Sequence, residues 1–552
     1  MSQLSEPSPV SLDPLILKLL AKRGIESAAA IEQFLNAGLN DLEDPRHMKG
    51  VEAAVLRLRE AAERREPVLI HGDYDIDGIT GTAILAKTLE HLGGRYSTFL
   101  PERQTDGYGV SAAAVERAVK EGVKLLVTVD CGISAHDEIR AARERGIDVI
   151  VIDHHRLSPD GIPGANIVIN PLQKDCGHGF KDFSAGGLVF KLSQALLGRE
   201  AVRFIDLAAL ATIGDVSPLT GENRILVREG LRQLSARKNM PLRILAETAG
   251  IKSREINAGH VGFILGPRIN AAGRVSTPEI ALRLLLTDNE REAMSLAKIL
   301  NEENKVRQRE EKEVLEEALS EVERSVNFNR EKVIVVGREG WHAGVVGIVA
   351  SRLAERYHRP SVVIAFEKGT GKGSGRSVEG FHLFKALEAC RGCFREFGGH
   401  ELAAGVTMDQ EKLADFRKQI NDYARERIPA EVFIRKSRWD LEISLSELTP
   451  RFLRELKLLE PHGSGNPKPV FLTKPLKVKV GLRQGDFGVH KFWIADENGM
   501  GIYEVQVRQP SAENAALLKP GTLIELTYSV KVQTWNGIDS LVLESRDLKA
   551  AP

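Results

Sequence analysis

Ten consecutive residues, His71–Thr80, set the strongest constraint on this chain, because they crowd one histidine and three aspartates into seven positions. The apolar segment Pro67–Ile70 before them is typical of a buried strand, and the apolar spacing over Gly81–Gly93 predicts a helix after them. Carboxylates at the end of a buried strand repel one another unless a cation lies among them, and Mg²⁺ or Mn²⁺ prefers such an oxygen-rich shell. Taken alone, the run is equally compatible with a solvated acidic turn.

The same pattern recurs after two further predicted strands and one predicted helix. Strands over Lys124–Val129 and Asp148–Ile152 are followed by Asp130 and by Asp153, His154 and His155, and a helix over Phe204–Ile213 leads to Asp215. Strands that alternate with helices predict a parallel sheet, which binds ligands beyond the carboxyl ends of its strands. The recurrence therefore favours a metal centre over unrelated turns, and the donor set fits two divalent ions about 3.5–4 Å apart. Imidazole among the donors favours Mn²⁺ over Mg²⁺, although either ion fits.

Composition narrows the class of protein. The 552 residues are enough for roughly three or four domains. With 76 basic and 76 acidic residues there is no net charge, so any contact with nucleic acid must come from local clusters. The four cysteines argue against a disulfide framework, and Cys390 and Cys393 are expected to be buried rather than bound to zinc. No apolar run is long enough for a membrane span and no signal-peptide pattern is visible, so we expect a soluble cytoplasmic protein.

Three further segments follow the predicted parallel sheet. Residues 288–327 are predicted to form a long, charged connecting helix, because their apolar stripe is sparse. Strands over Lys332–Val336 and Ser361–Phe366 predict a second, smaller α/β unit, in which Gly373–Ser377 supplies glycines and an arginine suited to a phosphate. From Trp439 onward, short strands separated by Gly and Pro predict a β-barrel of the OB type, a fold that stacks bases on aromatic side chains.

Eight motifs carry a resemblance to a known family. HGDYDIDG at 71–78, VDCG at 129–132, DHH at 153–155 and TIGDV at 212–216 resemble, in order, the motifs of the DHH phosphoesterase superfamily. GPRINAAGR at 266–274, GSGRS at 373–377, GGHELAAG at 398–405 and GSGNP at 463–467 are similar to those of the bacterial RecJ single-strand exonucleases. The resemblance implies an α/β fold in which a parallel-sheet DHH domain is joined by the long helix to a smaller α/β DHHA1 domain and a C-terminal OB-like barrel. The expected division is an N-terminal helical extension (1–50), the DHH domain (51–287), the connecting helix (288–327), the DHHA1 domain (328–429) and the barrel (430–552).

The resemblance also implies a metal-ligand set. Its members are His71, Asp73, Asp75, Asp77, Asp130, His154 and Asp215. Asp75 would bind the first of two Mn²⁺ or Mg²⁺ ions, Asp77 and His154 would bind the second, Asp130 would bridge them and Asp215 would complete the set.

Two assignments are left open, one within this set and one for the neighbouring His155. Relatives use either the position of His71 or that of Asp73, and this sequence fills both. His155 is expected to contact the phosphate or to orient His154. With Asp130, these two histidines are the expected catalytic residues.

The implied activity is hydrolysis of single-stranded DNA from its 5′ end, which releases 5′-mononucleotides in DNA repair and recombination. The residues expected to contact DNA or its phosphates are Arg103, Tyr108, Arg268, Asn270, Arg274, Ser374, Arg376 and His400. A pocket of Arg103, Ser374 and Arg376 for the terminal 5′-phosphate would admit a chain end and exclude an internal site. For the residues of this set, a structural turn or an ion pair is the alternative interpretation.

Two other functions fit parts of the sequence. One is a small-substrate phosphoesterase of the same superfamily, acting on short oligonucleotides or pyrophosphate, which the predicted barrel argues against. The other is a non-catalytic replication scaffold, which the filled acidic positions argue against. By resemblance, the expected partners are single-stranded DNA, a single-strand-binding protein and a RecQ-type helicase, with no membrane, and the expected state is a monomer.

Overall fold

The computed structural model describes residues 12–102, 109–157, 160–435, 437–485, 488–496, 498–499, 501–508, 510–535 and 538–551. It begins with two helices, α1 (Pro14–Lys22) and α2 (Ala28–Asn36). Each helix begins after a residue whose side chain accepts a backbone hydrogen bond. Asp13 accepts from the N–H of Leu15 at 2.9 Å, and Ser27 accepts from that of Ala30 at 3.1 Å.

A parallel α/β unit follows. Its first elements are α3 (Val51–Glu63), β1 (Pro67–Gly72), α4 (Ile76–His91), β2 (Arg95–Phe99), α5 (Ala112–Lys120), β3 (Leu125–Val129), α6 (His136–Glu144), β4 (Asp148–Ile152) and β5 (Ile167–Ile169). The strands are all parallel, in the order β2-β1-β3-β4-β5. The chain leaves β1 toward one side of the sheet for β2 and returns to its other side for β3. In such a sheet the ligand crevice lies where the order reverses, at the carboxyl ends of β1 and β3.

Helices cover both faces of this sheet. The remaining helices of the unit are α7 (Ala185–Leu197), α8 (Ile205–Gly214), α9 (Gly221–Ala236), α10 (Met240–Thr248), α11 (Ala258–His260), α12 (Gly266–Val275) and α13 (Glu279–Leu286), with a π-helical turn at Val261–Leu265 between α11 and α12. Side chains alternate along β3, so that Val127 and Val129 lie in the large core with α4, α7 and α8, and Leu126 packs with α5 and α6 on the other face. This burial of both faces explains the nearly continuous apolar strands in the sequence.

A 36-residue helix, α14 (Glu290–Ser325), connects the first unit to the second. Leu296 and Leu300 at its start belong to the first core, and Val314 and Val322 near its end belong to the second. The second unit contains β6 (Ile334–Glu339), α15 (Val346–Tyr357), β7 (Ser361–Glu367), β8 (Thr370–Arg376), α16 (Leu383–Ala389), β9 (Glu396–Gly399), β10 (Ala403–Asp409) and α17 (Leu413–Arg427). Its sheet has the order β6-β7-β8-β10-β9, with β6 and β7 parallel and the other pairs antiparallel.

The C-terminal region forms a closed barrel. Its elements are β11 (Leu441–Glu442), α18 (Pro450–Leu456), β12 (Phe471–Leu472), β13 (Leu476–Gln484), β14 (Val489–Ala495), β15 (Ile502–Arg508), α19 (Ala512–Leu517), β16 (Leu523–Trp535) and β17 (Ile538–Ala550). Strands β13, β14, β15 and β17 follow one another in the sheet, and β17 pairs back onto β16, which also pairs with β13. Five strands closed in this way are the arrangement of an OB fold.

The two N-terminal helices pack in the core of the barrel. Ile16 and Leu19 of α1 and Ile31 of α2 lie in the same core as Phe471 and Tyr528 of the barrel. The first and last parts of the described chain therefore share one core. Within the described residues, no helix is long and apolar enough to cross a membrane.

Candidate active site

The turn between β1 and α4 holds three of the predicted ligands. Asp73 directly follows β1 and is buried. Asp75 caps α4, because its Oδ1 accepts hydrogen bonds from the N–H groups of Asp77 at 2.9 Å and Gly78 at 3.3 Å. Asp77 lies in the first helical turn, with its two oxygens each 2.7 Å from a backbone N–H at the start of α7, those of Ala185 and Gly186. Backbone amides thus orient Asp77 without a positively charged side chain.

The ends of β3 and β4 supply the facing side of the site. Asp130 follows β3 in the left-handed backbone region, with φ +64°, and is buried. Such a conformation is unfavourable for an aspartate within a regular element but is tolerated at functional turns. After β4, the Nε2 atom of His154 lies 3.3 Å from Asp130 Oδ1, 3.8 Å from Asp77 Oδ2 and 3.9 Å from Asp215 Oδ1. His154 is therefore the side chain around which three carboxylates from different elements meet.

Asp215 reaches the same place from the carboxyl end of α8. Its side chain is 26% exposed, the most open of the ligands around His154. The hydroxyl of Ser217 donates a hydrogen bond to Asp215 Oδ2. Ser217 was not among the sequence predictions, although its position two residues after an aspartate is a common hydrogen-bonding pattern.

These side chains form two neighbouring groups of possible metal ligands. Donor atoms lie within 4.8 Å of one another in the group Asp73, Asp75 and Asp130 and in the group Asp77, His154 and Asp215. The 3.3 Å contact between His154 and Asp130 joins the groups. Two oxygen-rich groups with one imidazole are the donor set that two Mn²⁺ or Mg²⁺ ions accept.

The electrostatics of the site fit a divalent cation. Burial and then the neighbouring carboxylates raise the pKa of Asp77 and of Asp130 well above the usual range. Burial lowers the pKa of His154, which keeps the imidazole neutral, the form that binds a metal. The buried Nε2 atom of His154 has no hydrogen-bond partner within the described part of the chain. A divalent ion would relieve the repulsion between the carboxylates and would be bound by this nitrogen.

His155 has a different electrostatic character from His154. Its Nδ1 lies 2.7 Å from Asp153 Oδ1, and Asp153 Oδ2 accepts a hydrogen bond from the N–H of Ile133 at 3.0 Å. Burial alone would lower the pKa of His155, but the hydrogen bond and charge of Asp153 raise it to about 9. His155 is therefore cationic at neutral pH, 3.9 Å from Asp130 Oδ1. A cation at this position suits contact with a phosphate.

The geometry favours Asp73 over His71 as the ligand at the end of β1. Asp73 lies in a ligand group with Asp75 and Asp130. His71 is fully buried, its Nδ1 is 3.5 Å from Cys131 Sγ, and its ring centroid is 5.2 Å from that of Phe99. Among the described residues His71 therefore contacts Cys131 and Phe99 and is not part of that ligand group.

Helix α12, which carries the GPRINAAGR motif, lies against the metal-binding turn. Asn270 Oδ1 accepts a hydrogen bond from the N–H of Ile76 at 2.7 Å, which gives this predicted DNA contact a role in holding the turn. A Cβ at Gly273 would lie 2.6 Å from the carbonyl oxygen of Tyr74, so only glycine permits this approach. Arg268 donates to the carbonyl of Ile264 and to Asn301 within its own region.

The other predicted phosphate contacts lie at the end of α12, in the second unit or outside the described residues. Arg274 Nη1 donates to the carbonyl of Gly344 at 3.1 Å, which links α12 to the second unit. On β8, Arg376 Nη1 donates to Ser374 Oγ at 2.9 Å, so these two predictions lie together. His400 is exposed at the turn between β9 and β10, and β10 pairs with β8. Arg103 and Tyr108 lie outside the described residues.

A second buried acidic cluster, formed by Glu43, His178 and Glu222, differs from the site because the chain supplies its cation. Lys191 Nζ lies 2.8 Å from Glu222 Oε2 and 2.5 Å from the carbonyl oxygen of Glu43. The side chains of Lys191 and His178 are fully buried. The ammonium balances this cluster, which connects residue 43 to α7 and α9 and is structural.

Comparison with known proteins identifies the family. The DHH family N-terminal domain matches residues 67–214, the DHHA1 domain matches residues 330–426, and the RecJ OB domain matches residues 439–547. Single-stranded-DNA-specific exonuclease RecJ of Escherichia coli strain K12 is 36% identical over 492 residues, which cover 84% of each chain. The chain belongs to the RecJ family. The Bacillus subtilis strain 168 RecJ is 35% identical over 532 residues, and the chain spans 95% of its own length but 66% of that relative.

Solved RecJ structures agree with the fold and with the metal prediction. The crystal structure of Thermus thermophilus RecJ with Mn²⁺ is similar at a TM-score of 0.81 and 33% identity, covering 98% of this chain and 79% of that one. The Mg²⁺ complex of the same protein is similar at a TM-score of 0.76 and 32% identity, covering 98% and 78%. The predicted fold class, with its DHH, DHHA1 and OB-like domains, is confirmed, and both expected ions occur in RecJ structures.

Proposed function

We propose that this RecJ-family chain is a metal-dependent exonuclease that degrades single-stranded DNA from its 5′ end and releases 5′-mononucleotides. The observation that carries the proposal is the meeting of two ligand groups through His154 and Asp130 at the carboxyl ends of β1, β3 and β4. Membership of the RecJ family supports the choice of single-stranded DNA as substrate, and the OB-like barrel supports it independently.

The residues of the site divide the work of hydrolysis. Asp73 and Asp75 would hold one ion, Asp77 and His154 the other, with Asp130 between them and Asp215 at the open side. When bound, Mn²⁺ or Mg²⁺ lowers the pKa of an attacking water and stabilises the charge that develops on the phosphate. His155, cationic because of Asp153, would add positive charge beside that phosphate, where a fixed charge in a water-poor site is most effective.

The 5′ polarity is proposed from the second unit. Arg376 and Ser374 lie within hydrogen-bond distance on β8, and a terminal phosphate dianion would accept from both. They would form a pocket that excludes an internal phosphodiester, because such a group carries one charge and the strand continues on both sides of it. Arg103, which lies outside the described residues, stays a predicted member of this pocket. Arg274 and His400 are proposed as further phosphate contacts near this pocket.

The barrel is proposed to hold the strand beyond the site. Arg483 lies over the ring of Trp493 with 5.4 Å between the guanidinium carbon and the ring centroid, and a base could extend this stack. A single-strand-binding protein and a RecQ-type helicase remain proposed partners, and a monomer remains the proposed state. The domain division predicted above remains a proposal, now with α1 and α2 grouped with the barrel because they share its core.

The test compares single-stranded oligonucleotides labelled at either end, with Mn²⁺, for the wild type and Asp130→Asn. We expect the 5′ label to be released first as a mononucleotide, and we expect Asp130→Asn to lose nearly all activity. Asp206→Asn is the matched control, because Asp206 is equally buried in the same unit but bonds Asn239. Release of the 3′ label first, or full activity in Asp130→Asn, would refute the proposal. Faster turnover of a dinucleotide than of a long strand would favour the small-substrate alternative.

A further inference from the structure

The GSGNP loop (Gly463–Pro467) lies in the C-terminal region but contacts the catalytic unit. The carbonyl oxygen of Ser464 accepts a hydrogen bond from the backbone N–H of Leu219 at 2.7 Å. Leu219 is buried and follows Asp215 by four positions. A loop more than 240 residues away in sequence therefore binds the segment that carries a proposed metal ligand, residues 215–220, here called the Asp215 segment.

The two glycines of the loop allow this contact. A Cβ at Gly463 would lie 2.7 Å from Leu219 Cδ1, and a Cβ at Gly465 would lie 3.0 Å from Pro218 Cβ and 3.2 Å from Thr220 Cγ2. Gly465 also has a φ of +68°, in the left-handed region that favours glycine. The loop backbone thus lies against three consecutive residues of the Asp215 segment, with little space between them.

The Asp215 segment has a strained backbone that contacts from other elements help to hold. Val216 has a φ of +63°, an unusual conformation for a β-branched residue, and its side chain is 68% exposed. Strained backbone persists where surrounding contacts determine it. The N–H of Ser217 first donates to the carbonyl of Thr212 at 3.1 Å, a local bond at the end of α8. Two contacts from outside that helix follow: Asn223 Nδ2 donates to the carbonyl of Pro218 at 3.0 Å, and the N–H of Leu219 donates to the carbonyl of Ser464. One of these two comes from the GSGNP loop.

The loop is itself rigidly held, so it can act as a support. Gly463 and Asn466 exchange backbone hydrogen bonds at 3.0 and 3.2 Å. The Asn466 side chain donates to the carbonyls of Leu459 and Pro461 at 2.8 Å, and it accepts from Arg23 at the end of α1. Arg23 also donates to the carbonyl of Pro467 at 2.9 Å. The N-terminal helices and the barrel region thus fix the loop from two directions.

Arg224 of α9 fixes the same region to the catalytic unit. Its guanidinium donates to the carbonyls of Leu458 and Leu459 at 2.8 and 3.1 Å and to that of Phe34 at 2.9 Å. These carbonyls lie at the ends of helical turns, where the backbone carries partial negative charge. The distance between the loop and the Asp215 segment is therefore set by bonds on both sides of the contact.

We propose that the GSGNP loop is a positioning element for Asp215. By holding the strained backbone at Leu219, the loop keeps the Asp215 carboxylate facing His154, so the C-terminal region helps to assemble the metal centre as well as to bind DNA. This inference rests on the proposed function, since it takes Asp215 to be a metal ligand. Groups that orient a ligand from behind typically change metal affinity or activity about 10–100-fold when altered.

The test compares two alanine variants of the full-length protein, Gly465→Ala and Gly499→Ala. Both glycines have a positive φ, +68° and +73°, so both substitutions strain the backbone similarly. Of the two, the Cβ at position 465 would press on the Asp215 segment, whereas no atom of the described residues lies within 4 Å of a Cβ at position 499. Calorimetric Mn²⁺ titration without DNA, hydrogen exchange of residues 212–222 in metal-free protein, and kcat and KM on a single-stranded oligonucleotide give separate readouts.

We expect Gly465→Ala to bind at least one Mn²⁺ about tenfold more weakly, to exchange faster at Leu219, and to lower kcat at limiting Mn²⁺ with an unchanged KM. Gly499→Ala should match the wild type. If Gly465→Ala does not fold, Gly463→Ala replaces it, because its Cβ meets only the end of the Leu219 side chain. Equal Mn²⁺ affinity in the loop variant and the control would overturn the positioning role. A wild type that neither binds Mn²⁺ nor degrades single strands would instead refute the proposed function.

Discussion

Replacing Asn270 by alanine separates two roles that the sequence and the structure give to this side chain. The sequence motif predicts a DNA contact, whereas in the structure Asn270 Oδ1 accepts a hydrogen bond from the N–H of Ile76 at 2.7 Å. Ile76 lies between Asp75 and Asp77, in the first turn of α4, where backbone N–H groups have no partner within the helix. Asn270 therefore braces the turn that carries two proposed ligands.

The expected magnitude follows from this single bond. Leaving a partly buried N–H without its acceptor costs about 1–3 kcal/mol. A free-energy cost of about 1.36 kcal/mol corresponds to a tenfold change in a rate or binding constant. If the whole cost falls on the transition state or on metal binding, Asn270→Ala should lower kcat, or raise the Mn²⁺ concentration for half-maximal activity, by roughly 5- to 150-fold. KM for the oligonucleotide should stay unchanged, because the side chain acts on the turn and not on the substrate.

The assay measures kcat and KM on a 5′-labelled single strand across a Mn²⁺ titration. Asn421→Ala is the matched control, because Asn421 Oδ1 likewise accepts from a backbone N–H at 2.7 Å, that of Lys332, but lies on α17 of the second unit. A raised KM with unchanged kcat and Mn²⁺ dependence would show that Asn270 binds DNA, and the reasoning from the hydrogen bond would be refuted. Activity within twofold of wild type would refute both roles.

Three further predictions concern charge and protons. Lys191→Met should lower the free energy of unfolding by about 3–5 kcal/mol in denaturant titrations, because it leaves Glu222 buried without its cation. Adding Glu222→Gln should restore much of that loss. A loss below about 1 kcal/mol would show that the pair is hydrated. Mn²⁺ affinity should rise with pH and binding should release protons, because the pKa values of Asp77 and Asp130 are raised in the metal-free site. Calorimetry in two buffers with different ionisation enthalpies measures the released protons. Binding without proton release would contradict this prediction. Burial raises the pKa of Asp206 from 3.8 to about 6, so the folded state keeps a proton that the unfolded state loses. The free energy of unfolding should therefore fall by about 3 kcal/mol, relative to Asp206→Asn, as the pH rises from about 4 to 6. Parallel pH profiles of the two proteins would refute this prediction.

Much of the site could be predicted because its ligands follow local patterns. Asp73 and Asp130 come directly after an apolar strand and His154 comes two residues after one, and the carboxyl ends of parallel strands meet at one edge of the sheet. The alternation of strands and helices predicts a parallel sheet, but it does not by itself place β1 beside β3. The coordinates were needed to favour Asp73 over His71. The two residues are only two positions apart, and the sequence does not show where the backbone bends between the strand and the turn, so it does not show which side chain faces the other candidate ligands.

Roles that depend on long-range packing could not be predicted. Asn270 and Ser464 act through a backbone group of another element, and nothing in their own surroundings in sequence records which element that is. The same holds for Ile16 and Leu19, whose spacing predicts an amphipathic helix but not that its apolar face packs in the barrel core.

The sequence by itself therefore determined the family, the fold class and a set of candidate metal ligands, because periodicity and strand-end carboxylates are local properties of the chain. Only the tertiary structure decided that the first helices belong with the last strands and that the GSGNP loop touches the Asp215 segment. An apolar face in the sequence predicts that the face is buried, but it does not identify the element that covers it. A backbone carbonyl is present at every residue, so the sequence does not show from which N–H it accepts a hydrogen bond.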